Sequence, residues 1–142
     1  MMSVLVALAL FLCTMPAAAT AQQASAPRST QSGVYSAEQA ARGANVYAGM
    51  CRSCHTAESH TGATFEKLWA GHPLSDLFSY VSARMPKNEP GSLAPEEYAD
   101  VLAYLLKMNG MPAGRSELAP DSAQLSIIKI ETHSSASKPP NR

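Results

Sequence analysis

Apolar positions along the chain fall into one short continuous run, three segments with helical periodicity, and long polar stretches at either end. From Ser36 onward, Ala40, Gly43, Ala44, Tyr47 and Met50 recur at helical spacing. Ser36 followed three residues later by Gln39 is a capping-box signal for the start of that helix. The helix runs straight into Cys51. A second helix is predicted from Pro73, a residue suited to the first helical position, with Leu74, Leu77, Phe78 and Val81 as its apolar stripe. Pro86 ends it, because the residue before a proline, here Met85, is biased out of the helical region. The third helix has the clearest pattern. Pro95 opens it, Glu96, Glu97 and Asp100 suit the positive end of its dipole, and Tyr98, Val101, Leu102, Leu105 and Leu106 line one face. Lys107 sits in its last turn and Gly110 closes it. Between the first two helices "TFEKLW" predicts one short turn of helix, and no strand pair is predicted within residues 34–118. The pattern is that of a small all-α domain with three main helices and a short one.

The remaining segments set the boundaries. Residues 22–33, "QQASAPRSTQSG", lack periodicity and read as a disordered linker, as does the stretch from His133 to the end. The ordered domain is expected over residues 34–118, followed by an extended tail over 119–142. The tail is expected to be loosely attached, with "LSIIKIE" as a short strand. At the N-terminus, Val4 to Cys13 form an apolar run too short to span a bilayer. Ala19-Thr20-Ala21 then fits a signal-peptidase site. The expectation is a signal peptide over 1–21, cleaved after Ala21, and a periplasmic location with no stable membrane anchor. No Lys or Arg precedes the apolar run, which departs from the usual signal pattern and keeps an uncleaved anchor or a misassigned start as the alternative. Phe11-Leu12 are bulkier than a lipidation site at Cys13 prefers.

Composition narrows the partners. With 142 residues the chain has the length of one domain. Eleven basic and eleven acidic side chains balance, and the absence of a basic stripe argues against a nucleic-acid partner. Between Val34 and Leu118 stand nine acids and seven bases, so steering by net charge should be weak. Aromatic residues make up only 6% of the chain, so a core of side chains alone would be modest.

"AGMCRSCHTAE", residues 48–58, carries the chemistry. Loss of Cys13 with the signal leaves Cys51 and Cys54 as the only cysteines. Exported chains usually pair cysteines as disulfides, but one this short closes a tiny loop and restricts the unfolded chain little. A thioredoxin-like dithiol sits at a strand-to-helix junction in an α/β fold, and this chain lacks the strands. A structural zinc site needs four ligands, commonly as two close pairs. Cys51, Cys54, His60 and His72 make four, but the two histidines stand too far apart for a compact second pair. The reading that uses every residue of Cys-x-x-Cys-His is covalent attachment of one haem c. Two thiols three apart reach both vinyl groups on one porphyrin edge, and His55 is directed beneath the ring as proximal iron ligand. A bound porphyrin would also give Leu68, Leu74, Leu77, Phe78 and Leu102 a surface to pack on, as a small fold needs.

Low-spin haem proteins of this kind usually add methionine or histidine as the second axial ligand. The candidates are Met50, Met85, Met108, Met111, His60 and His72. Met50 adjoins Cys51 and cannot cross the ring, His60 follows His55 too closely, and Met108 near a helix end is more often packing. Met85, thirty residues after His55 and held by Pro86, is the preferred distal ligand, with Met111 and His72 next.

With those residues in place the chain resembles the class I c-type cytochromes, in particular the bacterial periplasmic monohaem proteins and domains that accept electrons from dehydrogenases of the quinoprotein type. The matching stretches are "CRSCH" at 51–55, "ARMP" at 83–86, "PGSL" at 90–93 and "EEYADVLAYLLKMNGMPAG" at 96–114. The resemblance covers about residues 34–118. It implies that the first helix crosses the last, with Gly43 allowing close approach to an aromatic such as Tyr104. It also implies a one-electron carrier rather than an enzyme, taking electrons from a periplasmic dehydrogenase and passing them to an oxidase or another cytochrome. The alternatives are a tightly bound cytochrome subunit of one dehydrogenase, to which the tail from Ala119 could contribute contacts, and a haem sensor or enzyme with an open sixth site.

Two departures stand out. The family often has a proline-containing loop after the haem motif whose carbonyl orients the proximal histidine, but "SHTGATFEKLW" has no proline there. A carbonyl near Gly62 or Ala63 is the expected substitute. Ala94 also stands where a capping Ser or Thr is expected. Trp69 is either a haem-propionate contact or a core residue. Arg84 and Lys87 are either propionate partners or solvated charges. His60, His72 and His133 read as surface residues, and Glu96, Glu97 and Asp100 as helix-capping charges.

Overall fold

The computed structural model describes residues 28–132. The expected signal peptide, Cys13 and the segment from His133 onward lie outside them. The elements run β1 (Arg28–Ser29), α1 (Ala37–Met50), α2 (Gly62–Trp69), α3 (Leu74–Arg84), α4 (Pro95–Met108), α5 (Ser122–Leu125) and β2 (Ile128–Lys129), with 3₁₀ turns at Thr30–Ser32 and Ala57–His60. The all-α expectation holds, with α1, α3 and α4 as the main helices. The short helix is longer than one turn, and α5 was not predicted. Pro73 lies at the N-cap of α3 rather than inside it. Among the described residues, no helix is long and apolar enough to cross a membrane.

The frame of the domain is the crossing of α1 and α4. Ser36 caps α1, its hydroxyl accepting from the Gln39 N–H at 3.0 Å. The reciprocal half of the capping box is absent. The Gln39 side chain, buried at 2% exposure, instead bonds both polar groups of the Leu118 backbone, at 3.0 and 2.8 Å. At Ala94 the cap works the other way round: the Glu97 carboxylate accepts from the Ala94 N–H at 2.9 Å. At the crossing itself, a Cβ on Gly43 would lie 1.8 Å from the Asp100 carbonyl oxygen and 2.4 Å from its carbon. The backbone that Gly43 admits is therefore that of Asp100, one turn before Tyr104. Tyr104 meets Tyr47 instead, with ring centroids 5.4 Å apart. Backbone cannot yield as a flexible side-chain end can, so Gly43→Ala is expected to destabilise by at least the roughly 1–3 kcal/mol of ordinary overpacking. A urea titration of the holoprotein measures this.

Asp100 proves to be more than a capping charge. The Arg42 guanidinium grips its buried carboxylate at 2.9 and 3.0 Å and extends to Glu117 at 3.0 and 2.9 Å. One side chain thus ties α1 to α4 and to the chain beyond it. The hydrogen bond from Arg42, more than any other influence, holds the Glu117 carboxyl below its usual value of 4.5. A carboxyl with a depressed folded-state pKa contributes stability that is present above its unfolded value and is lost as pH falls through the folded one. Thermal unfolding followed downward from pH 6 should therefore show Arg42→Gln losing less stability than the parent below about pH 4.5.

Both chain ends of the described region are more ordered than the sequence implies. Residues 28–33 are not a disordered linker. β1 pairs in parallel with β2, Arg28 opposite Ile128 and Ser29 opposite Lys129. Thr30 is fully buried, exchanging bonds with the Glu131 backbone at 3.1 and 3.0 Å. Nor is the tail loosely attached as far as Thr132. Leu125 and Ile130 are fully buried and Ile128 nearly so, joining Leu74, Phe78 and Leu102 in the main core. The Ile130 carbonyl accepts from Gly71 at 2.8 Å, and its N–H donates to the His72 carbonyl at 2.9 Å. The segment is a strap across the entry to α3, and the predicted short strand in "LSIIKIE" is its second half.

Candidate haem site

A cavity of about 390 Å³ opens beside α1, α2, α3 and α4, bounded on one side by the Cys51–His60 loop and on another by Met85–Asn88. Phe65, Leu68, Trp69, Leu77, Tyr80, Val81, Val101 and Leu105 line it from α2, α3 and α4. Four large apolar side chains among the described residues are exposed, and three of them, Met50, Leu68 and Tyr80, line this cavity. Exposed apolar surface concentrated on one concavity marks a binding site rather than scatter. Of the residues expected to pack on the cofactor, Leu68 and Leu77 line it. Leu74, Phe78 and Leu102 do not; they belong to the protein's own core, which the strap enlarges.

α1 positions the attachment motif. Its last turn carries Tyr47, Met50 and then Cys51 as C-cap, whose N–H still bonds the Tyr47 carbonyl at 2.9 Å. The chain then turns tightly, and the Cys51 carbonyl accepts from both Cys54 and His55, at 3.1 and 3.0 Å. This turn brings Cys51, Cys54 and His55 to one wall of the cavity, both thiols free. Burial raises the Cys51 thiol above its ordinary pKa.

Met85 reaches the same cavity from α3. The helix stops at Arg84, and Met85 turns extended at φ −127°, ψ 151°, before a cis bond to Pro86. Its N–H bonds Val81 at 2.9 Å, and its carbonyl accepts from the buried Tyr98 hydroxyl at 2.7 Å. The sulfur-bearing residue is thus bolted to both α3 and α4. Of the other candidates, Met50 and His60 also line the cavity, on the side of the attachment motif, and three fall elsewhere. Met111 is buried in the core with its carbonyl taken by Tyr35 at 2.6 Å. His72 is exposed beside Asp76, and Met108 packs on the Tyr47 cluster; none of the three lines the cavity.

His60 is not a surface residue. It is half-buried and lines the cavity, its ring 4.5 Å from that of His55 and edge-on to Tyr47 at 6.0 Å. Burial first, and the neighbouring His55 second, lower its pKa, which favours the neutral imidazole. The Tyr47 hydroxyl is buried with no hydrogen-bond partner among the described residues, and burial raises its pKa. Trp69 lines the cavity half-buried, edge-on to Tyr80 at 5.5 Å. Lys87 is at the cavity too, whereas the Arg84 guanidinium lies 5.6 Å over the Tyr80 ring.

The sequence reading passed over Tyr98 and Asn109. Tyr98 was one more member of an apolar stripe. Asn109, beside the closing Gly110, drew no reading of its own, yet its amide ties α4 to the loop after the motif. The hydroxyl and the amide are visible in sequence, but their bonds cross long stretches of chain.

The cavity fits a flat apolar macrocycle held at its rim: apolar walls, two adjacent free thiols, an imidazole and a thioether all meet there. No group of three or more His, Cys, Asp or Glu able to hold a bare metal ion occurs among the described residues. Residues 38–105 match the family model described as cytochrome C oxidase, cbb3-type, subunit III. This stretch is therefore a c-type cytochrome domain, a domain that carries covalently bound haem c with its iron, and it contains both Cys51 and Cys54. This domain supports a monohaem c-type cytochrome, an electron-transfer haem protein. Comparison with curated proteins and with solved structures gives no match.

Proposed function

We propose that the chain is a periplasmic one-electron carrier that takes electrons from a periplasmic dehydrogenase and passes them to a respiratory acceptor, an oxidase or another cytochrome, without being an enzyme itself. Cys51 and Cys54 hold the haem through two thioethers, and His55 and Met85 are the iron ligands. The observation that carries this reading is that these four residues, from two separate parts of the chain, line a single apolar cavity. The bound group supplies a one-electron ferric–ferrous couple. With His55 and Met85 both holding the iron, the bound group would keep no open position for substrate. Phe65, Leu77, Val101 and Leu105 limit water at the buried face, while Met50, Leu68 and Tyr80 give a partner an apolar rim to meet. Such encounters are small and transient. Trp69 and Lys87, both at the cavity, are the propionate contacts.

The free carrier is preferred over the tightly bound subunit because residues 119–132 lie on the chain's own α3 and β1. The reading is tested by optical spectra of the oxidised and reduced protein with carbon monoxide added. Low-spin spectra in both states, a one-electron titration and no rapid carbon monoxide binding are expected. A high-spin spectrum with rapid binding would replace it with the open-site reading.

A further inference from the structure

Asn109 makes three hydrogen bonds with one side chain. Its Nδ2 donates to the His60 carbonyl at 2.8 Å and to the Leu105 carbonyl at 2.9 Å, and its Oδ1 accepts from the Gly62 N–H at 3.0 Å. The first and third staple the backbone on either side of Thr61, and the second anchors the staple in the last turn of α4. The stapled loop holds the His60 ring 4.5 Å from His55, and Tyr47 backs His60 edge-on at 6.0 Å. A continuous set of contacts therefore runs from the end of α4, through Asn109 and the loop, to the ring of His55. The same loop lacks the proline expected to orient that histidine. The His55 ring has no hydrogen bond to any described residue, and His60 is the ring packed against it.

We propose that Asn109 and His60 are the positioning residues that fix the His55 imidazole plane in this chain. The inference rests on the reading of His55 as an iron ligand. A half-buried amide that bonds the loop after a metal ligand can act as an outer shell around that ligand. Removing one should leave the ligand bound but free to take more than one orientation. Asn109 and His60 act through the same contact, so their effects should not add.

The test uses covalently haem-loaded protein: the parent, Asn109→Ala, His60→Ala and the double variant. Ferric low-spin EPR and the paramagnetically shifted haem-methyl NMR resonances report the axial histidine plane, and thermal unfolding reports stability. Each single variant should convert one set of g values and one methyl pattern into several, and the double variant should be no more heterogeneous than either. His60→Ala keeps the staple, so it remains informative if Asn109→Ala folds poorly. Variants that lose thermal stability but keep the parent's single signal overturn the proposal and leave Asn109 as a helix cap. A parent with Soret absorbance but without a low-spin ferric signal would instead remove the underlying ligand assignment, and the proposal with it.

Discussion

Replacing Met85 with alanine is expected to abolish the sulfur-to-iron charge-transfer band of the oxidised protein and to lower the midpoint potential steeply. Methionine opposite histidine raises the potential because a neutral thioether favours the ferrous state. Axial ligands together span roughly 0.8 V, and loss of the thioether should cost a substantial share of it. The variant should fold, since Met85 is only half-buried and its backbone bonds to Val81 and Tyr98 do not need the side chain. It should also become able to bind carbon monoxide. Met111→Ala serves as the contrast. That side chain is 3% exposed in the core, so its loss should cost about 2–5 kcal/mol of stability while leaving the band in place. A band that survives in Met85→Ala would move the ligand to another residue.

The second large effect concerns the thiols. Cys51→Ala with Cys54→Ala is expected to yield protein without covalent haem and with little cooperative folding. A cavity of about 390 Å³ at about 24 cal/mol per Å³ corresponds to roughly 9 kcal/mol. That figure is an upper bound for a cavity open to water. Even half of it is comparable with the roughly 5–15 kcal/mol by which domains are stable. The strap adds Leu125, Ile128 and Ile130 to the core, so residual helix in the double variant is expected. A sharp near-ultraviolet circular dichroism signal and a cooperative melt near the parent's would contradict the expectation.

What the sequence made legible was whatever short-range pattern encodes. The Cys51–His55 motif is contiguous because its geometry demands it, and the stripe of α4 repeats because one face of a helix is buried. Met85 could be picked out because Pro86 must end a helix there. The strap was opaque for the opposite reason. Arg28–Ser29 is polar and joins the fold through backbone pairing and bonds to Glu131, which leave no hydrophobic signal. Ile128 and Ile130 alternate enough to predict a short strand, but Leu125 sits on the separate turn of α5 and breaks the pattern, so the burial of the whole segment was not announced. Gln39 was legible as a capping partner but bonds Leu118, because a long amide takes whichever backbone tertiary packing brings near. Asp100 was legible as a helix charge, but its pairing with Arg42 depends on the crossing that Gly43 permits.

The periplasmic carrier reading and the inference about Asn109 both depend on a single haem joined to the chain through Cys51 and Cys54. The most direct measurement is the intact mass of denatured protein, matured in an export-competent host that carries the attachment machinery, taken together with its absorbance. A mass above the bare mature polypeptide by one haem, with a Soret band that stays with the denatured chain, is predicted. Bare polypeptide mass with no Soret absorbance would contradict the account.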